Sequence, residues 1–347
     1  MAKDKNRTFL FFFLAIIAVS FFIFALDWWK GRTPRLAVAG NAGIGSLFNV
    51  DGRLTAVYQD GRTCVWDWDA PAVKQADFRV GSGRAVGLEG TELAAAARLS
   101  DRILLSVYDI EQGRRVRDLT AGWDEQDIYL RNSHRRQRLT LIRRNTEGDG
   151  QVDYEFVPVD LAAEVLRPAV VRPLEAGRQT LRDFAVSDEG VLYAAGADGE
   201  QARLTAVDLN TGRTLWDQVW DDAEELTTTA LSIDGRTVWA GDRAGSLLKV
   251  AAEDGRRLDK TSLLRPGETR PTTNDFSVLN LAASPDGRLL GCTIAPVAYV
   301  VDAESGQVVR RFGGHKVVSK VAFSPDSRKL ATSDLRADGV IILYTLK

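Results

Sequence analysis

Residues 207–212 read Val-Asp-Leu-Asn-Thr-Gly, a strand end running into a polar turn closed by Gly, and related segments recur along the chain. They are Tyr108–Gly113, Val159–Glu164, Val250–Gly255 and Val301–Gly306, with strand ends at Val65–Ala70 and Leu343–Lys347 in the same phase. Taking one residue at each strand end gives Asp67, Asp109, Asp160, Asp208, Ala251, Asp302 and Thr345, spaced 42 to 51 residues apart. A second series is independent of the first. An Asp-Gly or Pro-Asp-Gly turn between two strand-like runs occurs at 49–58, 232–241 and 284–293, Ser324–Ser333 is a close relative, and 87–97 and 186–196 are looser copies. Gly accepts positive φ, and Asp and Pro favour tight turns, so each marks a hairpin. Every period therefore holds two turns and about four short strands, and a period of 40–50 residues is that of a radially repeated four-stranded antiparallel sheet. The expected fold is all-β, a seven-bladed β-propeller over residues 35–347. A β-sandwich of the same strand content would not keep one spacing through so much chain.

The ends of the repeat suggest how the ring closes. Its last period has strands at 318–323, 329–333 and 340–346 and then no fourth strand, while Arg35–Gly40 precede the first period without a partner. Pairing of 35–40 with the last blade would remove two open sheet edges. A three-stranded last blade with 35–40 as linker is the alternative.

Ahead of the repeat, Thr8–Leu26 carries no charge. Nineteen helical residues at about 1.5 Å each nearly span the ~30 Å hydrocarbon layer of a bilayer. Trp28, Trp29 and Lys30 follow, as at a membrane interface. The expected division is a basic tail at 1–7, a transmembrane helix at 8–29 presenting Phe9, Phe13, Ile17, Phe21, Phe24, Trp28 and Trp29, and a linker at 30–34. A cleaved signal peptide would need a shorter apolar core with small residues soon after it, and Asp27-Trp28-Trp29 stands there instead. Basic residues flank both sides almost equally, so orientation rests on the habit of short basic tails to stay in the cytoplasm. That places the propeller in a bacterial periplasm, on the inner membrane.

Residues 314–347 resemble a WD repeat, with Gly314-His315, Ser324-Pro325-Asp326, Ser333 and Asp338-Gly339, but with Tyr344-Thr345 where the family has Trp-Asp. The resemblance implies a structural hydrogen-bonded tetrad from His315, Ser333, Asp338 and Tyr344. Residues 60–67 match the Asp-Gly to Trp-Asp half of the same repeat, and 208–218, with Thr211-Gly212 and Trp216, look like a quinoprotein-type repeat. The resemblance is thin in the third period. Outer-membrane assembly factors of the quinoprotein-like type share the Thr-Gly and Trp pattern. They are normally lipoproteins with a Cys just after the signal, whereas the first Cys here is Cys64.

Chemistry-bearing motifs are few. Asn145–Asp153 could present Asn145, Glu147, Asp149 and Asp153 to calcium, but the same Gly-Asp-Gly composition suits a plain hairpin turn, and Phe156 stands where a bidentate Glu would be needed. Arg131–Arg144 holds six arginines, suited either to acidic headgroups or an acidic partner, or to a solvated blade edge. With His134 and His315 the only histidines, and Cys64 and Cys292 far apart, zinc sites and histidine-based catalysis are disfavoured. No nucleophile elbow, zinc-protease motif or phosphate-cradling loop is present. A net charge of −2 gives no field for nucleic acid. The expected role is a non-enzymatic, cofactor-free scaffold, accessory or assembly subunit bound to an integral-membrane protein complex. A periplasmic outer-membrane-assembly factor and a ligand-binding or quinoprotein-like propeller are the alternatives.

Overall fold

The computed structural model describes residues 35–36, 42–72, 74–81, 84–99, 102–121, 127–133, 138–146, 152–161, 163–166, 170–173, 179–265, 277–313, 317–334 and 339–346. The expected membrane helix at 8–29, with all seven anchor residues named above, lies outside them. Among the described residues no helix is long and apolar enough to cross a membrane.

The strands form seven antiparallel sheets. After β1 (Arg35–Leu36), blade one is β2 (Ile44–Val50), β3 (Arg53–Tyr58), β4 (Arg62–Asp67) and β5 (Lys74–Arg79). Blade two is β6 (Ala85–Gly87), β7 (Glu92–Arg98), β8 (Ile103–Asp109) and β9 (Arg114–Ala121). Blade three is β10 (Asp127–Asn132), β11 (Leu139–Thr146), β12 (Val152–Asp160) and two short pieces, β13 (Val165–Leu166) and β14 (Val170–Pro173). Blade four is β15 (Gln179–Val186), β16 (Val191–Asp198), β17 (Gln201–Asp208) and β18 (Thr214–Trp220). Blade five is β19 (Leu226–Leu231), β20 (Thr237–Asp242), β21 (Ser246–Ala251) and β22 (Arg257–Ser262). Blade six is β23 (Asn280–Ala283), β24 (Leu289–Ile294), β25 (Val297–Asp302) and β26 (Val308–Phe312). Blade seven is β27 (Val318–Phe323), β28 (Lys329–Asp334) and β29 (Ile341–Thr345), and β1 is its fourth strand, with Arg35 opposite Ile342 and Leu36 opposite Ile341. In blade three, both β13 and β14 pair with β12. The outer strand there is split, and Pro168, which has no N–H to give a ladder, lies in the sequence between the two pieces.

The seven repeat marks are the last residues of the seven third strands. Their chemistry explains the Asp. The carboxylates of Asp67, Asp109, Asp160, Asp208 and Asp302 each accept a backbone N–H two or three residues on, from Asp69, Glu111 and Gln112, Ala163, Asn210 and Ser305. A local side-chain acceptor of this kind turns the chain toward the outer strand. The other turn series is equally uniform. Ser232, Ser284 and Ser324 each donate to the Asp two residues on, at 2.6 Å, and each accepts the N–H five residues on.

There is no single core. Seven apolar clusters are buried, each lying between two adjacent blades, and one of them joins Ala322, Ala331, Ile341 and Leu343 of blade seven to Ile44, Leu54 and Trp66 of blade one. Second and third strands are therefore apolar on both faces, whereas fourth strands such as β5 and β22 are half-buried to exposed along their whole length.

Candidate functional site in the axial channel

The first strands of all seven blades surround a central channel of about 580 Å³. That size falls within the range of small-molecule pockets. Equivalent ladder positions put one residue from each blade on its wall: Ser46, Arg84, Tyr129, Asp183, Thr228, Asn280 and Lys320. All seven are polar, although the strands that carry them are otherwise rich in Leu, Ala, Val and Phe. In blades one, four, five and seven the ladder skips a residue just before this position, at Gly45, Arg182, Thr227 and Ser319. A bulge of this kind re-aims the side chain that follows it.

Much of the ring is used in structure. Ser46 Oγ accepts the N–H of Ala85 at 3.1 Å, linking blades one and two. Asn132 donates to the carbonyl of Gly87, linking two and three. Asp183 is the busiest junction. One carboxylate oxygen pairs with Arg131 of blade three, and the other accepts the hydroxyl and the N–H of Thr228 and Thr229 of blade five, both at 2.9 Å. Burial alone would raise its pKa, but the Arg131 charge and these hydrogen bonds prevail and hold the carboxyl below its usual range. Thr227 donates to Val278 O at 2.8 Å, and Asn280 Oδ1 accepts the N–H of Val321 at 3.1 Å, joining blade five to six and six to seven. Arg182 pairs with Glu225, and Arg84 lies over the Tyr129 ring at 4.8 Å.

Lys320 differs from the rest. It is half-buried and has no hydrogen bond or ion pair with any described residue. Desolvation first, and the Arg131 charge second, pull its pKa below that of a free lysine, with Asp183 opposing. Across the channel wall Arg84, Arg131, Arg182 and Lys320 face one carboxylate, Asp183.

Two family descriptions match the chain. The family described as outer membrane protein assembly factor BamB matches residues 175–306, and the WD domain, G-beta repeat, matches residues 306–345. Together with the seven blades, the two matches support a β-propeller of WD-repeat and quinoprotein type. The first match runs from blade four into the turn after the third strand of blade six, and the second covers the last strand of blade six and the three C-terminal strands of blade seven. No curated protein sequence matches the chain.

The motifs singled out from sequence fall elsewhere on the propeller. In the WD-like blade, Tyr344 donates to Gly313 O at 2.8 Å and stacks on Phe312, with ring centroids 4.2 Å apart. Ser333 is buried, and its hydroxyl has no partner among the described residues. His315 and Asp338 lie outside those residues, as do His134, Glu147 and Asp149. Asn145 and Asp153 are ladder partners at the end of the β11–β12 hairpin, and no cluster able to hold a metal forms among the described residues. Within the arginine-rich run, Arg131 turns inward to Asp183, while Arg138 bonds Asn210 of blade four at 3.3 Å. Both cysteines are buried and unpaired in different blades. The axial ring had no signature in the sequence beyond a polar residue four positions before each of Ser187, Ser232, Ser284 and Ser324. That signal becomes readable only after the blades are aligned.

Proposed function

We propose that this chain is a membrane-tethered, non-catalytic propeller that binds other proteins, as an accessory, scaffolding or assembly subunit of an inner-membrane complex. The observation that carries the protein-binding reading is the match of residues 175–306 to a family described as an outer membrane protein assembly factor. Seven packed blade junctions also make a rigid disc, whose loops can present fixed contacts on either face. The tether rests on the uncharged Thr8–Leu26 segment and the Trp28-Trp29-Lys30 that follows it. Small residues at Ala15, Ala18 and Ser20 would let this helix approach partner helices closely. The same family match favours a second reading, a periplasmic factor in outer-membrane assembly.

The deciding experiment extracts the chain from membranes in mild detergent and identifies what travels with it. A reproducible set of inner-membrane proteins supports the first reading, and outer-membrane assembly proteins support the second. Repeated recovery of the chain alone overturns both. Orientation is tested by thiol labelling. Cys64 and Cys292 are fully buried, so Glu304→Cys on an exposed turn supplies the reactive thiol. A membrane-impermeant maleimide added to cells with permeabilised outer membranes should label this variant, and labelling only after the inner membrane is lysed would place the disc in the cytoplasm.

A further inference from the structure

We propose that Lys320 and Asn280 form a binding site for a small oxyanion, a carboxylate or a phosphate, inside the axial channel. Lys320 leaves β27 just after a bulge and faces the channel. Its ammonium has no described acceptor. Half-buried on the channel wall, it has given up part of its hydration shell and no described group replaces it. The neighbouring carboxylate of Asp183 attracts the ammonium but forms no hydrogen bond or ion pair with it, and its oxygens accept from Arg131, Thr228 and Thr229 instead.

Asn280 lies on the adjacent blade and is tied to the residue next to Lys320. The backbone N–H of Val321 donates to its amide, which fixes Oδ1 as the acceptor. Its Nδ2 is thereby directed elsewhere, as a donor with no described acceptor. An ammonium and an amide N–H on neighbouring walls, with more cations than carboxylates around them, suit an oxyanion. The channel volume of about 580 Å³ leaves room for a small molecule that carries it.

The test uses the full chain in detergent, titrated calorimetrically with succinate and separately with inorganic phosphate, alongside thermal melts. At least one probe should bind saturably and raise Tm, and which one does so distinguishes carboxylate from phosphate. Lys320→Gln should weaken that binding by about tenfold or more, while Lys320→Arg keeps it. Asn280→Asp is the second variant. It retains the acceptor for Val321 but gives Lys320 an internal carboxylate, so it should abolish binding even if Lys320→Gln folds poorly. No saturable binding of either probe by the unmodified chain, or binding undiminished in both Lys320→Gln and Asn280→Asp, would overturn the proposal.

Discussion

Asp183 and Asp242 show how differently two sheltered carboxylates can act in one propeller. Asp183 ties three blades together, and removing its charge leaves Arg131 unpaired. Because the Arg131 side chain is 34% exposed, solvent recovers part of that loss, so Asp183→Asn is expected to destabilise by roughly 2–3 kcal/mol in urea unfolding at neutral pH. Its folded pKa is depressed, so this stabilisation is complete above the unfolded value of 3.8 and disappears as pH falls through the folded one. The gap between variant and parent should therefore close in acid. Asp242 is fully buried, and one oxygen accepts the N–H of Ser246 at 2.7 Å. Desolvation pushes its pKa up to about 6 from 3.8. The folded state thus holds the proton more tightly, and the parent should gain stability as pH drops from 7 toward 4. Asp242→Asn keeps the acceptor and removes the charge. It should be more stable than the parent at pH 7, by at most roughly 3 kcal/mol, with a flat response where the parent's rises. A variant less stable than the parent at pH 7 would contradict this account. Neither environment could be read from sequence, since Asp183 and Asp242 sit in unremarkable strand stretches and acquire partners only across blades or in a buried turn. Ser327, by contrast, stands at φ 59° where the sibling turns have Gly, and its hydroxyl accepts the N–H of Asp286 from blade six. The position keeps a side chain because the neighbouring blade uses it.

At the scale of the strand and its turn, the repeat is written in short-range chemistry. The Asp that marks most third strands caps its own turn, and Ser-x-Asp-Gly closes the other hairpin by bonds within six residues. Such signals survive in the bare sequence because their partners are also local. Docking between blades is less legible. Trp216, noticed as part of a quinoprotein-like repeat, is buried and donates to the carbonyl of Ala252 in the last turn of blade five at 2.9 Å. Trp216→Phe should leave that carbonyl unsatisfied and a small gap beside it, costing about 2–3 kcal/mol by denaturant titration. A loss below about 0.5 kcal/mol would mean that neither the hydrogen bond nor the extra bulk of the indole matters there. Gly196 has a steric reason. The bulge in β15 brings Thr180 O within 1.7 Å of where a Cβ would be, so Gly196→Ala forces the two strands apart. Blade three marks the limit of the repeat reading: its outer strand is split, in the same period where the family resemblance was thinnest.

For the whole molecule, closure is the feature on which the other contacts depend. Two described residue pairs join β1 to β29, and without them blade seven keeps an open edge. Comparing truncations that remove residues 1–32 and 1–40 isolates this contribution, because both lack the apolar N-terminal segment. The longer deletion is expected to lower Tm by at least about 2 °C and to promote self-association, read by thermal melts and size-exclusion chromatography. Equal melting and equal elution would show that the strand contributes nothing to the ring. The number of blades, the ends of their third strands and the places of their tight turns followed from the sequence alone, because each rests on hydrogen bonds and φ preferences spanning a few residues and repeated at a steady interval. The axial channel did not. Ser46 and Lys320 are 274 residues apart in the chain, and whether they share a wall, which carboxylate is already occupied, and which ammonium is left over depend on how the sheets are ordered around the axis. Those are long-range contacts, and only the closed ring sets them.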